Sequence, residues 1–235
     1  MQDSKRVILC TRPISRALVQ EAATQGIIIE ELSFIDTHPV LTEGITNRIR
    51  EIAGETRTVI FTSMNAVDAV TNVVIAPVQW NIYCIGNTTR KLILEKLPAA
   101  TIVATGENAA RLAERLVDDG VKNAVFFCGN IRRDELPNKI RSDGGLVEEV
   151  IVYETQERPT TLTKEYDAVL FFSPSAVNSF FSTNKIPKQT EVFAIGKTTA
   201  EAIRQYLNKR IIVASVTGKD ELVQRAIAHF TGVNR

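Results

Sequence analysis

Short apolar runs alternate with longer segments in which apolar residues recur every three or four positions, almost throughout the chain. Residues 7–10, 58–61, 81–85, 124–127, 168–172, 191–195 and 211–214 are rich in Val, Ile and Phe and too short for helices, which predicts buried strands. Residues 27–29 and 146–153 predict two more. Helical spacing predicts helices over 15–25, 66–74, 88–97, 109–118, 134–142, 176–182, 198–207 and 220–229. Gly26, Gly120 and Gly144 directly follow helical segments, where a left-handed cap is wanted. Nearly continuous apolar strands separated by helices predict an α/β fold of parallel sheets covered by helices on both faces. The polar, proline-containing stretches 38–54 and 156–165 read as connectors.

The pattern also repeats, at two offsets. At 110 residues, Phe61-Thr-Ser-Met-Asn-Ala-Val67 aligns with Phe171-Phe-Ser-Pro-Ser-Ala-Val177, Ile85-Gly-Asn-Thr-Thr89 with Ile195-Gly-Lys-Thr-Thr199, and Ile102-Val-Ala104 with Ile212-Val-Ala214. At 118 residues, Val7 pairs with Val125, Cys10 with Cys128, Gly26 with Gly144, Glu30 and Glu31 with Glu148 and Glu149, and Thr37 with Thr155. A repeat this long means two similar modules, each large enough for its own core. Similar modules that face one another are expected to form a cleft lined by the polar residues both copies keep. A simple tandem reading places the domains at 5–117 and 118–230. The change of offset near Thr37 and Thr155 instead marks natural points for the chain to cross between domains.

Composition adds exclusions. The 235 residues carry 28 Lys and Arg against 27 Asp and Glu, a net charge of +1, which argues against a general nucleic-acid binder. No apolar stretch approaches the 18 or so residues of a membrane span, and the N-terminal segment lacks the apolar core of a signal peptide, so a cytoplasmic protein without membrane contact is expected. Cys10, Cys84 and Cys128 sit in or at the end of apolar runs and form no CxxC pair, which predicts buried structural thiols. With only His38 and His229, neither a histidine triad nor a histidine-rich metal site is expected. His229 reads as solvent-facing or capping. Cys10-Thr-Arg-Pro13 stands where a dinucleotide fold needs GxGxxG, and no phosphate loop or GxSxG elbow occurs.

The candidate chemistry lies beyond the carboxyl ends of the strands, where parallel sheets bind ligands. Thr62-Ser63, Asn87-Thr88-Thr89, Ser173-Pro174-Ser175 and Lys197-Thr198-Thr199 each fall between a predicted strand and a predicted helix. Helix N-termini present unpaired amides and partial positive charge, and hydroxyls beside them add donors without charge. The same residues are also good N-caps. Arg12 and the pair Arg132 and Arg133 follow equivalent strands, which suits carboxylate capture as well as a solvated surface. Tyr153 ends a strand, where a phenol can pack or donate a proton.

Together these segments resemble uroporphyrinogen-III synthases. The resemblance runs through Val7-Ile-Leu-Cys-Thr-Arg-Pro13, the segment from Phe61 to Val67, Gly129-Asn-Ile-Arg-Arg-Asp-Glu-Leu136, Val152-Tyr-Glu-Thr155, Phe172-Ser-Pro-Ser175 and Ala194-Ile-Gly-Lys-Thr-Thr-Ala200. It implies two lobes joined by two extended connectors: 1–36 plus 157–235 as a discontinuous lobe, and 40–153 inserted within it. It implies closure of linear hydroxymethylbilane to uroporphyrinogen III, with inversion of the last pyrrole ring and loss of water, without metal or organic cofactor. By matching positions it implies Tyr153 as the acid that assists hydroxyl departure. Thr62, Ser63, Thr88, Ser173, Ser175 and Thr198 become substrate contacts, with Arg12 and Arg133 as weaker carboxylate partners. The chain departs from the family pattern at Cys128, where many members have Arg, and at Arg132, where Gly is frequent. The expected partners are the substrate and, transiently, the preceding pathway enzyme, with a monomer as the expected state. Two other readings remain open on the residues alone: a non-catalytic two-lobed cytosolic binding protein for a small anion, and a nucleotide-dependent transferase lacking a phosphate loop.

Overall fold

The computed structural model describes residues 5–214 and 218–232. Two compact units emerge: Met1–Asp36 with Gln156–Arg235, and Thr37–Thr155. Unit one opens with strand β1 (Arg6–Cys10), helix α1 (Arg16–Thr24) and strand β2 (Ile27–Glu31). The chain then passes through β3 (Ile35–Pro39) into unit two, which holds α2 (Glu43–Ala53), β4 (Arg57–Phe61), α3 (Met64–Thr71), β5 (Trp80–Ile85), α4 (Asn87–Lys96), β6 (Thr101–Gly106), α5 (Ala109–Asp118), β7 (Asn123–Gly129), α6 (Glu135–Ser142) and β8 (Leu146–Glu157). Unit one resumes with β9 (Ala168–Phe171), α7 (Pro174–Thr183), β10 (Glu191–Ala194), α8 (Lys197–Arg204), β11 (Ile212–Val213) and α9 (Lys219–Thr231).

The two sheets share one plan. Unit one orders its strands β11-β10-β9-β1-β2, and unit two β6-β5-β4-β7-β8 with β3 added at the edge. The pairs from β1 to β2, β9 and onward to β11 are parallel, as are those from β4 to β8. β3 is the exception. Arg158 N–H bonds Phe34 O at 2.8 Å and Val40 N–H bonds Val152 O at 2.9 Å, so the ribbon it makes with β8 runs antiparallel.

Strand alternation builds two apolar layers on each sheet. In β4, Val59 and Phe61 enter one core cluster and Ile60 the other; in β7, Val125 and Phe127 oppose Phe126 and Cys128. In unit one, Ile8 and Cys10 of β1 face away from Leu9, and Leu170 of β9 faces away from Val169 and Phe171. Phe127 stacks on Phe61 at 5.5 Å and lies 5.9 Å from Trp80, whose indole N–H bonds Ile52 O at 3.0 Å.

Two expectations need correction. The stretch 38–54 is not a plain connector, because it carries most of β3 and all of α2. Thr42 caps α2 by accepting from Ile45 N–H, and Ile45, Ile49 and Ile52 pack on the core. Pro39, Gly44 and Gly54 hide that three-residue stripe in the sequence. Strand β6 was likewise absent from the expected set. Its side chains alternate between exposed and half-buried, so no continuous apolar run announces it.

Candidate functional site

In unit two, three chain turns leave the carboxyl ends of adjacent strands. Ser63 follows β4 and caps α3, its Oγ accepting from Asn65 N–H at 3.1 Å and Ala66 N–H at 3.4 Å. Thr62 beside it is half-buried. After β5 the cap is Gly86, at φ +77°, a conformation that side chains resist, and no side chain caps α4. Thr88 is then the second residue of α4, exposed, with buried Thr89 behind it. It therefore lies inside the helix rather than before it. The first amides of α4 are left without a side-chain acceptor.

Tyr153 is placed by a fault in the ladder. β7 and β8 pair in register through Cys128 and Ile151, then slip so that Gly129 faces Tyr153. Val150 and Val152 already face the core, and strict alternation would send residue 153 to the other face. The slip lets the Tyr153 ring join the same cluster. Gly129 is required there. A Cβ on it would lie 2.5 Å from Cε2 and Cζ of the ring and 2.9 Å from the phenol oxygen. Asn130 holds the strand beyond the slip. Its N–H bonds Tyr153 O at 3.2 Å, its Oδ1 accepts from Thr155 N–H and from Ile131 N–H at 2.8 Å each, and its Nδ2 donates to Thr155 O at 3.3 Å.

The phenol itself is half-buried, with the Ser63 hydroxyl close enough to act on its titration. Burial raises its pKa above the ordinary value, and Ser63 pulls more weakly the other way. Tyr153 therefore stays protonated at neutral pH. Gly129 and Asn130 open one of the segments that carry the family resemblance, but the sequence alone assigns neither a role at the site.

The basic loop behind this site is unevenly available. Arg132 pairs with Glu149 and, at 3.5 Å, with Asp134, while Glu149 also takes Arg141 at 2.7 Å. Arg133 is exposed. Nothing places Arg133 at Tyr153, and Arg132 is neutralised within unit two.

Unit one repeats the turns with different neighbours. Ser173 caps α7, accepting from Ala176 N–H at 3.2 Å, and Ser175 is the helix's second residue. Gly196 caps α8 without a side-chain bond, and Thr198 is its second residue, half-buried before buried Thr199. Ser63 and Ser173 thus share one role, and Thr88 and Thr198 share another. After β1, Thr11 continues the sheet by donating both its N–H and its hydroxyl to Leu170 O, at 3.1 Å and 2.9 Å. That anchor sets Arg12 over the Phe172 ring, 5.9 Å from its centroid.

The thiols take no part. All three are buried, and burial pushes Cys10 up to about 12 and Cys128 up to about 11, which leaves them protonated and unreactive. Among the described residues no His, Cys, Asp and Glu side chains assemble in a group of three or more fit for a metal, and no helix is long and apolar enough to cross a membrane. His229 is exposed, as expected, with its ring edge-on to Phe193 and Phe230.

Comparison with known proteins bears on the family and the fold. The sequence model of the family described as uroporphyrinogen-III synthase HemD matches residues 16–224. A mutant uroporphyrinogen III synthase from Thermus thermophilus is similar in structure, with a TM-score of 0.71 at 15% identity, over 97% of this chain and 100% of that one. Uroporphyrinogen-III synthetase from Helicobacter pylori follows at a TM-score of 0.63 and 16% identity, over 95% of this chain and 99% of that one. At such identities these structures speak for the fold. An uncharacterised protein of Rickettsia prowazekii is 26% identical over 113 residues, 47% of this chain and only 38% of that relative's length. The family match spans most of the sequence, and the chain belongs to the uroporphyrinogen-III synthase family.

Proposed function

We propose that this member of the uroporphyrinogen-III synthase family closes linear hydroxymethylbilane to uroporphyrinogen III, inverting the last pyrrole ring and releasing water. Tyr153 donates the proton with which the terminal hydroxyl departs. The departure leaves a cation stabilised by the electron-rich pyrroles, and the substituted carbon of the last ring bonds to it first. The bond from that carbon to its original methylene bridge then breaks to give a second such cation, which the free carbon of the same ring captures with loss of its proton, so Tyr153 ends as it began.

The observation that carries the reading is the Tyr153 phenol, seated against Gly129 by the slip in β8, kept protonated by burial and close to the Ser63 that caps α3. A leaving group of this kind needs only a modest acid. The main demand is to hold one folded conformer of a flexible substrate, and each tenfold preference requires about 1.4 kcal/mol of differential transition-state binding. Hydroxyls and uncapped helix amides supply such contacts without titrating. We assign Thr62, Ser63 and Thr88 in unit two, and Ser173, Ser175, Thr198 and Arg12 in unit one, as substrate contacts, with Arg133 as a weaker carboxylate partner. The protein is expected to act as a cytoplasmic monomer, from two lobes divided near residues 36–40 and 153–157.

The test is to incubate the protein with fresh hydroxymethylbilane, oxidise the product and determine the porphyrin isomer. Isomer III is expected. Isomer I alone, the product of unaided closure, would reject the enzyme and leave a binding protein.

A further inference from the structure

Two cations stand together at the carboxyl edge of the five-stranded sheet, and no carboxylate among the described residues forms an ion pair with either. Arg12 is half-buried, and its Nε is buried without a hydrogen-bond acceptor. Lys219, also half-buried, is the first residue of α9. Leu222 and Val223 of α9 pack in the same core cluster as Cys10 and Phe172, α9 lies against β9, the strand that leads into Phe172, and Lys219 is close enough to Arg12 to feel its charge.

Nearby acids are engaged or turned to other work. Glu31 accepts the Ile14 N–H at 2.7 Å, and Asp220 and Glu221 occupy the first turn of α9, where the helix dipole favours them. A lysine one residue earlier opposes that dipole. Gly218 caps α9 without a side-chain bond, so the helix start adds its own positive end. Burial first, and then the charge of Arg12, lower the Lys219 pKa, and Asp220 offsets this only in part. Two like charges and a helix N-terminus held together without an anion work against folding.

We infer that Arg12 and Lys219 form a carboxylate-binding subsite at this edge of unit one, which takes an acidic side chain of the polycarboxylate substrate. The inference rests on the function proposed above for the class of ligand, and on the unit-one geometry for the site. The guanidinium, over the Phe172 ring, offers a two-pronged grip, and the ammonium closes on the same carboxylate.

Two measurements test it. Lys219→Gln should raise KM for hydroxymethylbilane roughly tenfold, more than it lowers kcat, whereas Lys219→Arg should stay within about threefold of wild type. The KM of wild type should rise with salt, and that of Lys219→Gln less steeply. Independently of turnover, the Lys219 ε-carbon resonance can be followed by NMR while tricarballylate is added to the wild-type protein. Saturable movement, weakened in Arg12→Gln, is expected. An unchanged KM in Lys219→Gln, or a Lys219 resonance that tricarballylate does not move, would overturn the subsite. If wild type makes only isomer I, the functional reading falls while the titration still decides the subsite.

Discussion

The two units present the same turns and surround them with opposite chemistry. Ser63 and Ser173 cap equivalent helices, and Thr88 and Thr198 stand second in helices that begin at an uncapped glycine. Around the unit-two turns the titratable group is a phenol, and Arg132, in the loop after β7, is neutralised by Glu149. Around the unit-one turns stand the cations Arg12, Lys197 and Lys219, with Ile35 in the place equivalent to Tyr153. Duplication kept the hydrogen-bonding frame, which any anionic substrate can use from either copy. On the function proposed above, the remaining tasks are divided, proton donation in one unit and charge recognition in the other.

The sharpest way to break this contrast is at Gly129. Gly129→Ala places a carbon inside the Tyr153 ring, and turnover should fall ~100-fold, with loss of both the phenol's position and the slip in β8. The equivalent measurement on Tyr153→Phe should show a fall of about tenfold, below the usual span for acid catalysis because the cation is self-stabilised. Combining the two changes should add little to Gly129→Ala, since both remove the same donor. Full additivity would show that the glycine acts elsewhere.

A second comparison uses the paired caps. Ser63→Ala and Ser173→Ala should each lower stability by about 1 kcal/mol in chemical denaturation. Both should cut turnover as substrate contacts, and Ser63→Ala more, by roughly fivefold, because it alone also removes the hydroxyl beside the phenol. With that hydroxyl gone the Tyr153 pKa should rise further, a change to be followed by NMR. In wild type, the already raised pKa predicts turnover independent of this group from pH 6 to about pH 9. An alkaline limb within that range would point to a different donor.

Smaller effects are expected behind the site. Asn130→Ala should reduce turnover severalfold by freeing Thr155 from its side-chain clamp. Asn130→Asp should recover part of the loss, since it keeps the acceptor for the Thr155 and Ile131 amides. Equal damage from both would mean that Asn130 acts through the Nδ2 donor alone. Smallest of all, Gly44→Ala on exposed α2, where a Cβ meets nothing within 4 Å, should raise stability by about 0.5–1 kcal/mol and leave turnover untouched.

The fold was legible wherever burial is uniform. Strands such as β4 and β7 are apolar on both faces, so their runs stand out; β6 is half-exposed and α2 carries its stripe between glycines, so neither did. The hydroxyls were legible as a set because they recur, although only Ser63 and Ser173 are true caps. Arg132 and Arg133 looked equivalent in sequence, and only the placement of Glu149 on the adjacent strand separates them. Lys219 left a fainter trace, a cation at the first position of a helix whose next two residues are acidic. The slip between Cys128 and Gly129 left none, because a one-residue shift in register changes no composition.

The shared strand plan also bears on how the chain can be cut. Unit two runs β4, β5, β6, β7, β8 without interruption, whereas unit one runs through the same sheet positions beginning at β9 and finishing with β1 and β2. Unit one is thus a circular permutant of unit two. Its two segments meet where the Arg6 guanidinium lies 5.8 Å from the Phe230 ring, near enough for a short linker. A gene beginning at residue 156, running through such a linker into residue 5 and stopping at residue 36 would encode unit one as a single uninterrupted domain. The covalent connection between the halves would then become an experimental variable.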